Sequence, residues 1–194
     1  MTEMSRSGGS TVVIAGFVVF LIAVGYLVAS SVAKKTVLVF EPTPAGHSRP
    51  QRGNAFFDTV TIDAGDARAW RFFDVDRGSV MTPPDTSGWD LAFRRFHIRA
   101  AGAVADGGQV AFARLADVPP QNFQSGWDTR DSSNTAIRRW YKYSMLTHLL
   151  EPNGHMYVVR TLEGQRAKLE ILSYYCQRLT PGCVTFRYEK MRSP

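Results

Sequence analysis

The sequence predicts an all-β domain, an antiparallel sandwich or barrel-like fold, preceded by one transmembrane α-helix. Two observations carry the prediction. Near the N-terminus an apolar run goes uninterrupted by charge, and after residue 55 short aromatic and β-branched runs alternate with Gly, Pro, Asn and Asp. The size agrees. A chain of 194 residues, 44% hydrophobic and 12% aromatic, accommodates one membrane span and a single core of about 140 residues.

The helix comes first. Thr11 to Ala33 reads "TVVIAGFVVFLIAVGYLVASSVA" and holds no charge, and Lys34 and Lys35 close it. A run of about 23 residues at roughly 1.5 Å each spans a hydrocarbon core of about 30 Å. The rival is a cleaved signal peptide, for which "LVASS" offers small residues. The run is longer than a usual signal core, and no cysteine follows it to take a lipid anchor. The expectation is therefore an uncleaved single-pass anchor over 11–33, behind a polar tail (1–10). Gly16, Ala23, Gly25 and Ala29 are small residues that permit close helix approach.

Residues 34–54, rich in Pro, Gly and polar side chains, read as a stalk. The flanking charges are weak guides to orientation, with Arg6 before the helix and Lys34 and Lys35 after it; they lean towards a cytoplasmic domain. Cys176 and Cys183 lean the other way. They flank "QRLTPG" between two strand-like runs, where a hairpin would bring them together as a disulfide of an oxidising compartment; two unpaired thiols are the alternative.

From residue 55 to the C-terminus the strand candidates are "FFDTVTI", "AWRFFDV", "WDLAFRRFHIR", "QVAFARL", "RRWYKYS", "HMYVVRT", "AKLEILSYY" and "CVTFRYE". Turn signals fall at "GDA", "PPDTSG", "ADGG", "VPPQN", "EPNG", "LEGQ" and "TPG". "TLEGQRAKLEI" is a hairpin with Gly164 as its permissive residue. The third candidate is unusual. Trp89, Leu91 and Phe93 share one face with Arg95, His97 and Arg99, while Asp90, Ala92 and Arg94 share the other with Phe96 and Ile98. A strand whose buried face swaps midway carries a bulge or passes between sheets.

The succession "TVTIDA", "AWRFFDVDRG", "GWDLAFRRFHIR", "GGQVAF", then "RWYKYS", "YVVRTLEGQRAKLEILSYY" and "GCVTFRY", resembles the HmuY-type haem-binding lipoproteins over about residues 59–188. The resemblance implies an all-β HmuY-like domain over 55–194, outside the cytoplasmic membrane, here with a transmembrane helix in place of a lipid anchor. It also implies haem held by two axial His or Met side chains. One ligand position follows an aromatic segment like "WYKYS", which puts Met145 there. The other belongs to an upstream insertion, and here the corresponding "DTRDSSNTAIR" (residues 128–138) is short and holds neither His nor Met. His97, His148 and His155 are the remaining second-ligand candidates.

Other chemistry is thin. His148, Glu151 and His155 match no zinc spacing, and no G-x-S-x-G elbow, catalytic cysteine context or phosphate-cradling glycine loop occurs, so no enzyme is expected. The net charge of +6 is spread without the dense stripe that nucleic acid requires. Arg94, Arg95, Arg99, Arg138, Arg139 and Lys142 form a candidate docking surface for an acidic partner or lipid headgroups. These features predict a non-catalytic accessory subunit of a larger membrane complex, a photosynthetic reaction centre or another energy-converting assembly. Its partners are other membrane subunits and the bilayer, its β domain is periplasmic with a cytoplasmic N-terminus, and it needs no cofactor. The alternative is a membrane-tethered haem-binding protein.

Overall fold

A computed structural model describes residues 7–32, 37–46, 58–81 and 87–191. They fall into two compact units, one formed by the N-terminal helix with Met145–Thr147, the other by the rest of the chain. The polar tail before residue 7 and the ends of the expected stalk lie outside the described residues.

The helix α1 runs Ser7–Val32. Its segment Ser10–Ala29 is long and apolar enough to cross a membrane. Gly16 and Gly25 lie in it with open space where a Cβ would stand.

The second unit is a β-sandwich. A six-stranded sheet has the order β1-β12-β11-β10-β6-β7, from Asp58–Asp63, Pro181–Lys190, Arg166–Tyr175, Met156–Arg160, Ala103–Gly108 and Gln124–Ser125 respectively. A four-stranded sheet has the order β3-β2-β4-β5, from Ser79–Met81, Arg71–Asp74, Leu91–Arg94 and His97–Ala100. A short hairpin pairs β8 (Tyr141–Tyr143) with β9 (Leu150–Pro152). The strand pairs are antiparallel.

One core lies between the two larger sheets. Val60, Ile62, Leu169, Ile171, Val184 and Phe186 meet Phe73, Leu91, Phe93 and Ile98 from the facing sheet. Phe186 is the hinge of this packing: Phe93 stacks on it at 5.4 Å and Phe73 meets it edge-on at 5.2 Å. Alternation explains why these strands form. Val184, Phe186 and Tyr188 face the core, whereas Arg187 and Glu189 face away and pair with Glu170 and Lys168 across the ladder.

β10 is buried on both faces. Tyr157 and Val159 join the main core, while Met156 and Val158 join a second cluster with Phe112, Leu115 and Val118. This second cluster accounts for one departure from the sequence expectation. "QVAFARL" is no strand; it makes a short 3-10 turn, Phe112–Arg114, that lays Phe112 and Leu115 over the sheet. The neighbouring strand is instead the small-residue run Ala103–Gly108, expected to include a turn. Small residues suit it because β10 lies so close: a Cβ on Gly102 would stand 2.1 Å from the Arg160 carbonyl oxygen.

The segment 37–46, expected within a stalk, lies along the domain. Val39 bridges Tyr175 in parallel, Ser173 Oγ donates to the Leu38 carbonyl, and Thr43 exchanges hydrogen bonds with Thr61. Cys176 and Cys183 form a disulfide seven residues apart across the β11–β12 turn. Closing so short a loop stabilises a fold by about 2–3 kcal/mol.

The run "WDLAFRRFHIR" is two strands, not one with a bulge. Arg95 and Phe96 form a two-residue turn that closes β4 onto β5, with Arg94 opposite His97 and Ala92 opposite Arg99. Arg95 has φ +54°. It is held there by its N–H on the Ala64 carbonyl and its guanidinium on the Gly65 carbonyl. The turn reverses the phase of the alternation. Leu91, Phe93, Ile98 and Ala100 all face the core, and Ala92, Arg94, His97 and Arg99 all face outward.

Candidate functional site

The outward face of the four-stranded sheet gathers aromatic rings and cations. Trp70, just before β2, lies beside Arg94 and Arg99, whose guanidinium carbons stand 4.5 and 4.1 Å from its ring centre. Arg99 also stacks on Trp127 at 4.7 Å, so its guanidinium sits between two indoles. Trp89 continues the surface, 6.4 Å from Trp127 and 5.5 Å from Phe72. Trp89 was expected beside Leu91 and Phe93 in the core; it precedes β4 in irregular backbone, and the alternation of the strand does not govern it. Of the chain's 4 tryptophans, Trp140 alone is in the core, with its Nε1–H on the Phe96 carbonyl.

The loop carrying Trp127 is tied down by Asn134, which is fully buried. Its amide donates to the carbonyls of Gln124 and Gly126 at 2.8 Å each, its side-chain oxygen accepts from Ala136 N–H, and its own N–H donates to Ile98. A buried amide with every group used specifies one loop conformation. That conformation sets the Ser132 carbonyl against Arg99 Nε (3.1 Å) and the Ser133 hydroxyl 3.2 Å from His97 Nδ1.

Charge on this face is weakly compensated. Among the described residues Arg94 has no hydrogen bond or ion pair, and the carboxylates of the covering loop, Asp128 and Asp131, lie 3.6 and 3.8 Å from Arg138. Burial and the neighbouring Arg94 push the His97 pKa down, against an upward pull from Asp131. Burial and Arg94 also lower the Arg99 pKa, though an arginine remains charged.

The six cations expected to form one docking surface separate. Arg94 and Arg99 share the sheet face, Arg95 turns towards Gly65, Arg138 is paired with aspartates, and Arg139 and Lys142 are exposed around the start of β8.

The haem-ligand candidates also fall in different places. Met145 follows β8 and is 76% exposed. His148 lies in the β8–β9 turn with its Nδ1 2.5 Å from the Tyr143 hydroxyl. His155 precedes β10 and holds the Asp106 carboxylate through Nδ1 at 2.9 Å. His97 is on the sheet face. Each of these imidazoles thus has one nitrogen engaged by a neighbour, the arrangement that fixes a ring for ligation through the other. They do not assemble into a metal cluster. Among the described residues the one grouping of three or more potential ligands is Asp63 with Cys176 and Cys183, and those sulfurs are bonded to each other.

No protein-family model matches the chain, and no curated protein matches it significantly. Solved structures do. The apo HmuY analogue of Tannerella forsythia superposes with a TM-score of 0.60 at 16% identity, covering 71% of this chain and 96% of its own. The chain has the HmuY-like fold. A protein from Bacteroides vulgatus named as HmuY-like and haem-binding gives a TM-score of 0.57 at 20% identity, covering 72% of this chain and 94% of that one. A Bacteroides fragilis protein named as a lipoprotein gives 0.59 at 20% identity, with 73% and 94% covered. The match thus accounts for nearly the full length of each of these structures. The Trp70–Arg99–Trp127 stack was missed in the sequence as a unit. The signals available were a tryptophan placed just before a strand and a second in the loop "SGWDTR".

Proposed function

We propose that this chain is a membrane-tethered haem-binding protein, a non-catalytic binder held at the membrane by α1. The observation that carries the proposal is the HmuY-like fold, shared over almost the full length of a HmuY analogue and of a second structure named as haem-binding. The donor types suit the group, though the candidates stand in different parts of the domain. A solvent-accessible methionine thioether and imidazoles with one nitrogen anchored are ordinary axial ligands of haem iron. Met145, at the position the family resemblance assigns, is the thioether candidate, and His97, His148 and His155 are separate imidazole candidates. Bound haem would supply an iron centre and a planar, propionate-bearing ring to hold; the chain's part is to ligate, orient and shield it.

Titrating haem into the full chain in mild detergent tests this. A sharpened Soret band at one haem per chain, weakened in Met145→Ala, is the expected outcome. A spectrum indistinguishable from free haem in the same detergent would overturn it. The second reading, an accessory subunit of a membrane complex, draws on the open small-residue positions Gly16 and Gly25 of α1. Native extraction that yields stoichiometric membrane partners and no haem on this chain would favour it instead.

A further inference from the structure

We propose that the outward face of the four-stranded sheet, built on the Trp70–Arg99–Trp127 stack, is a binding site for a planar aromatic dicarboxylate of the porphyrin class. The ligand class rests on the haem-binding reading. The site does not, because it needs no bond to iron and does not involve Met145.

The stack has features that a solvated strand surface lacks. Such surfaces carry Thr, Lys and Glu at outward positions. Here the outward residues of β4 and β5 are Ala92, Arg94, His97 and Arg99, with Trp70 beside them and Trp127 and Trp89 on the rim. Trp127 is 42% exposed in spite of the firmly tied loop that carries it. Large rings at a surface cost solvation free energy that a flat aromatic partner recovers.

The cations are suited to two carboxylates. A guanidinium stacked on an indole uses its faces and leaves its edge N–H groups free to fork onto a carboxylate. Arg94 has all its edge donors available among the described residues, and Arg99 spends only Nε, on the Ser132 carbonyl. Both guanidiniums lie within 4.5 Å of one indole centre, so like charges are held together. That repulsion is relieved when anionic groups arrive. The loop's own carboxylates are occupied with Arg138. His97, directly opposite Arg94 in the register, gives the same face an imidazole nitrogen suited to the metal of a metalloporphyrin.

Metal-free protoporphyrin IX is the probe, with its dimethyl ester as the control, titrated into the full chain in mild detergent and read by tryptophan quenching and porphyrin fluorescence anisotropy. The diacid is expected to bind the unaltered chain at least about tenfold more tightly than the ester, because a single charge-assisted hydrogen bond to a carboxylate accounts for a factor of that size. Arg94→Gln and Arg99→Gln together should remove the difference. Trp127→Ala, at an exposed loop position, should weaken the diacid even if the arginine pair disturbs folding, which near-ultraviolet circular dichroism reports.

Equal affinities for diacid and ester, or unchanged affinity in folded Arg94→Gln/Arg99→Gln and Trp127→Ala chains, would overturn the site. Haem binding that is lost with Met145→Ala but indifferent to the arginines would overturn it while upholding the haem reading. Absence of any binding by either porphyrin would overturn both.

Discussion

Asp90 offers the sharpest test of the joint between the end of β2 and the start of β4. It follows Trp89 and is 3% exposed, and one carboxylate oxygen accepts the Val75 N–H at 2.7 Å. Burial pushes its pKa up from the ordinary 3.8 to about 6, against the pull of the Val75 hydrogen bond and with a small push from Asp74 and Asp76. The sign follows from linkage. The folded state favours the protonated carboxyl, so the stability it contributes is full below pH 4 and is lost as pH rises through about 6. At about 1.4 kcal/mol per pH unit of pKa change, the shift corresponds to no more than about 3 kcal/mol. Solvent and local relaxation at a carboxyl near the sheet edge reduce that to about 1–2 kcal/mol.

Asp90→Asn keeps an oxygen for Val75 and removes the ionisation. Urea unfolding of the full chain in detergent, followed by tryptophan fluorescence at pH 4.5 and pH 8, gives the comparison. The variant should gain about 1–2 kcal/mol on the unaltered chain between the two pH values, with the change falling between the ordinary 3.8 and about 6 and levelling off above. A stability difference that is flat with pH, or that grows towards acid, would rule out a raised Asp90 pKa in the folded chain. Asp90→Ala is the control. It leaves the Val75 N–H without an acceptor and should destabilise by about 1–3 kcal/mol at both pH values.

Two further perturbations address the loop and the sheet spacing. Asn134→Asp replaces an amide that donates to two carbonyls with an acceptor-only carboxylate facing them. The expected loss is about 3–5 kcal/mol at pH 8, read as a lower thermal midpoint that partly recovers in acid as the carboxyl protonates. Gly102→Ala drives a methyl into the Arg160 carbonyl, so the β6–β10 ladder must separate. Loss of folded protein is expected, and hydrogen exchange in any that survives should be fastest at residues 103–108 and 156–160.

Several elements were plain in the residues. β1, β2, β10, β11 and β12 are aromatic and β-branched runs between turn signals, and Gly164 at φ +86° makes the turn of the β10–β11 hairpin. Two elements could not be read. β6 consists mostly of Ala and Gly, which local propensity assigns to a turn; only the approach of β10 makes small residues the right ones. The Arg95–Phe96 turn has no Gly, Asn or Asp, and its positive φ is maintained by Ala64 and Gly65, 30 residues away.

The candidate site was legible to the same degree. Arg94, Arg99, His97 and Trp127 stood out as residue types, but their grouping was invisible. With a single strand assumed, Arg99 fell on the face of Leu91 and opposite Arg94. The hairpin puts both arginines outward with Trp70.

The apolar helix, the antiparallel β class and the hairpin joining β10 to β11 follow from the residues alone. These depend on composition and on periods of a few residues, which act locally. Tertiary structure alone decided which face of the Trp89–Arg99 run is core, which tryptophans stay at the surface, and that Arg99 lies between two of them. Those outcomes depend on a two-residue turn braced from elsewhere and on a loop pinned by Asn134. Packing between residues distant in the chain carries no signature in the local alternation of side chains.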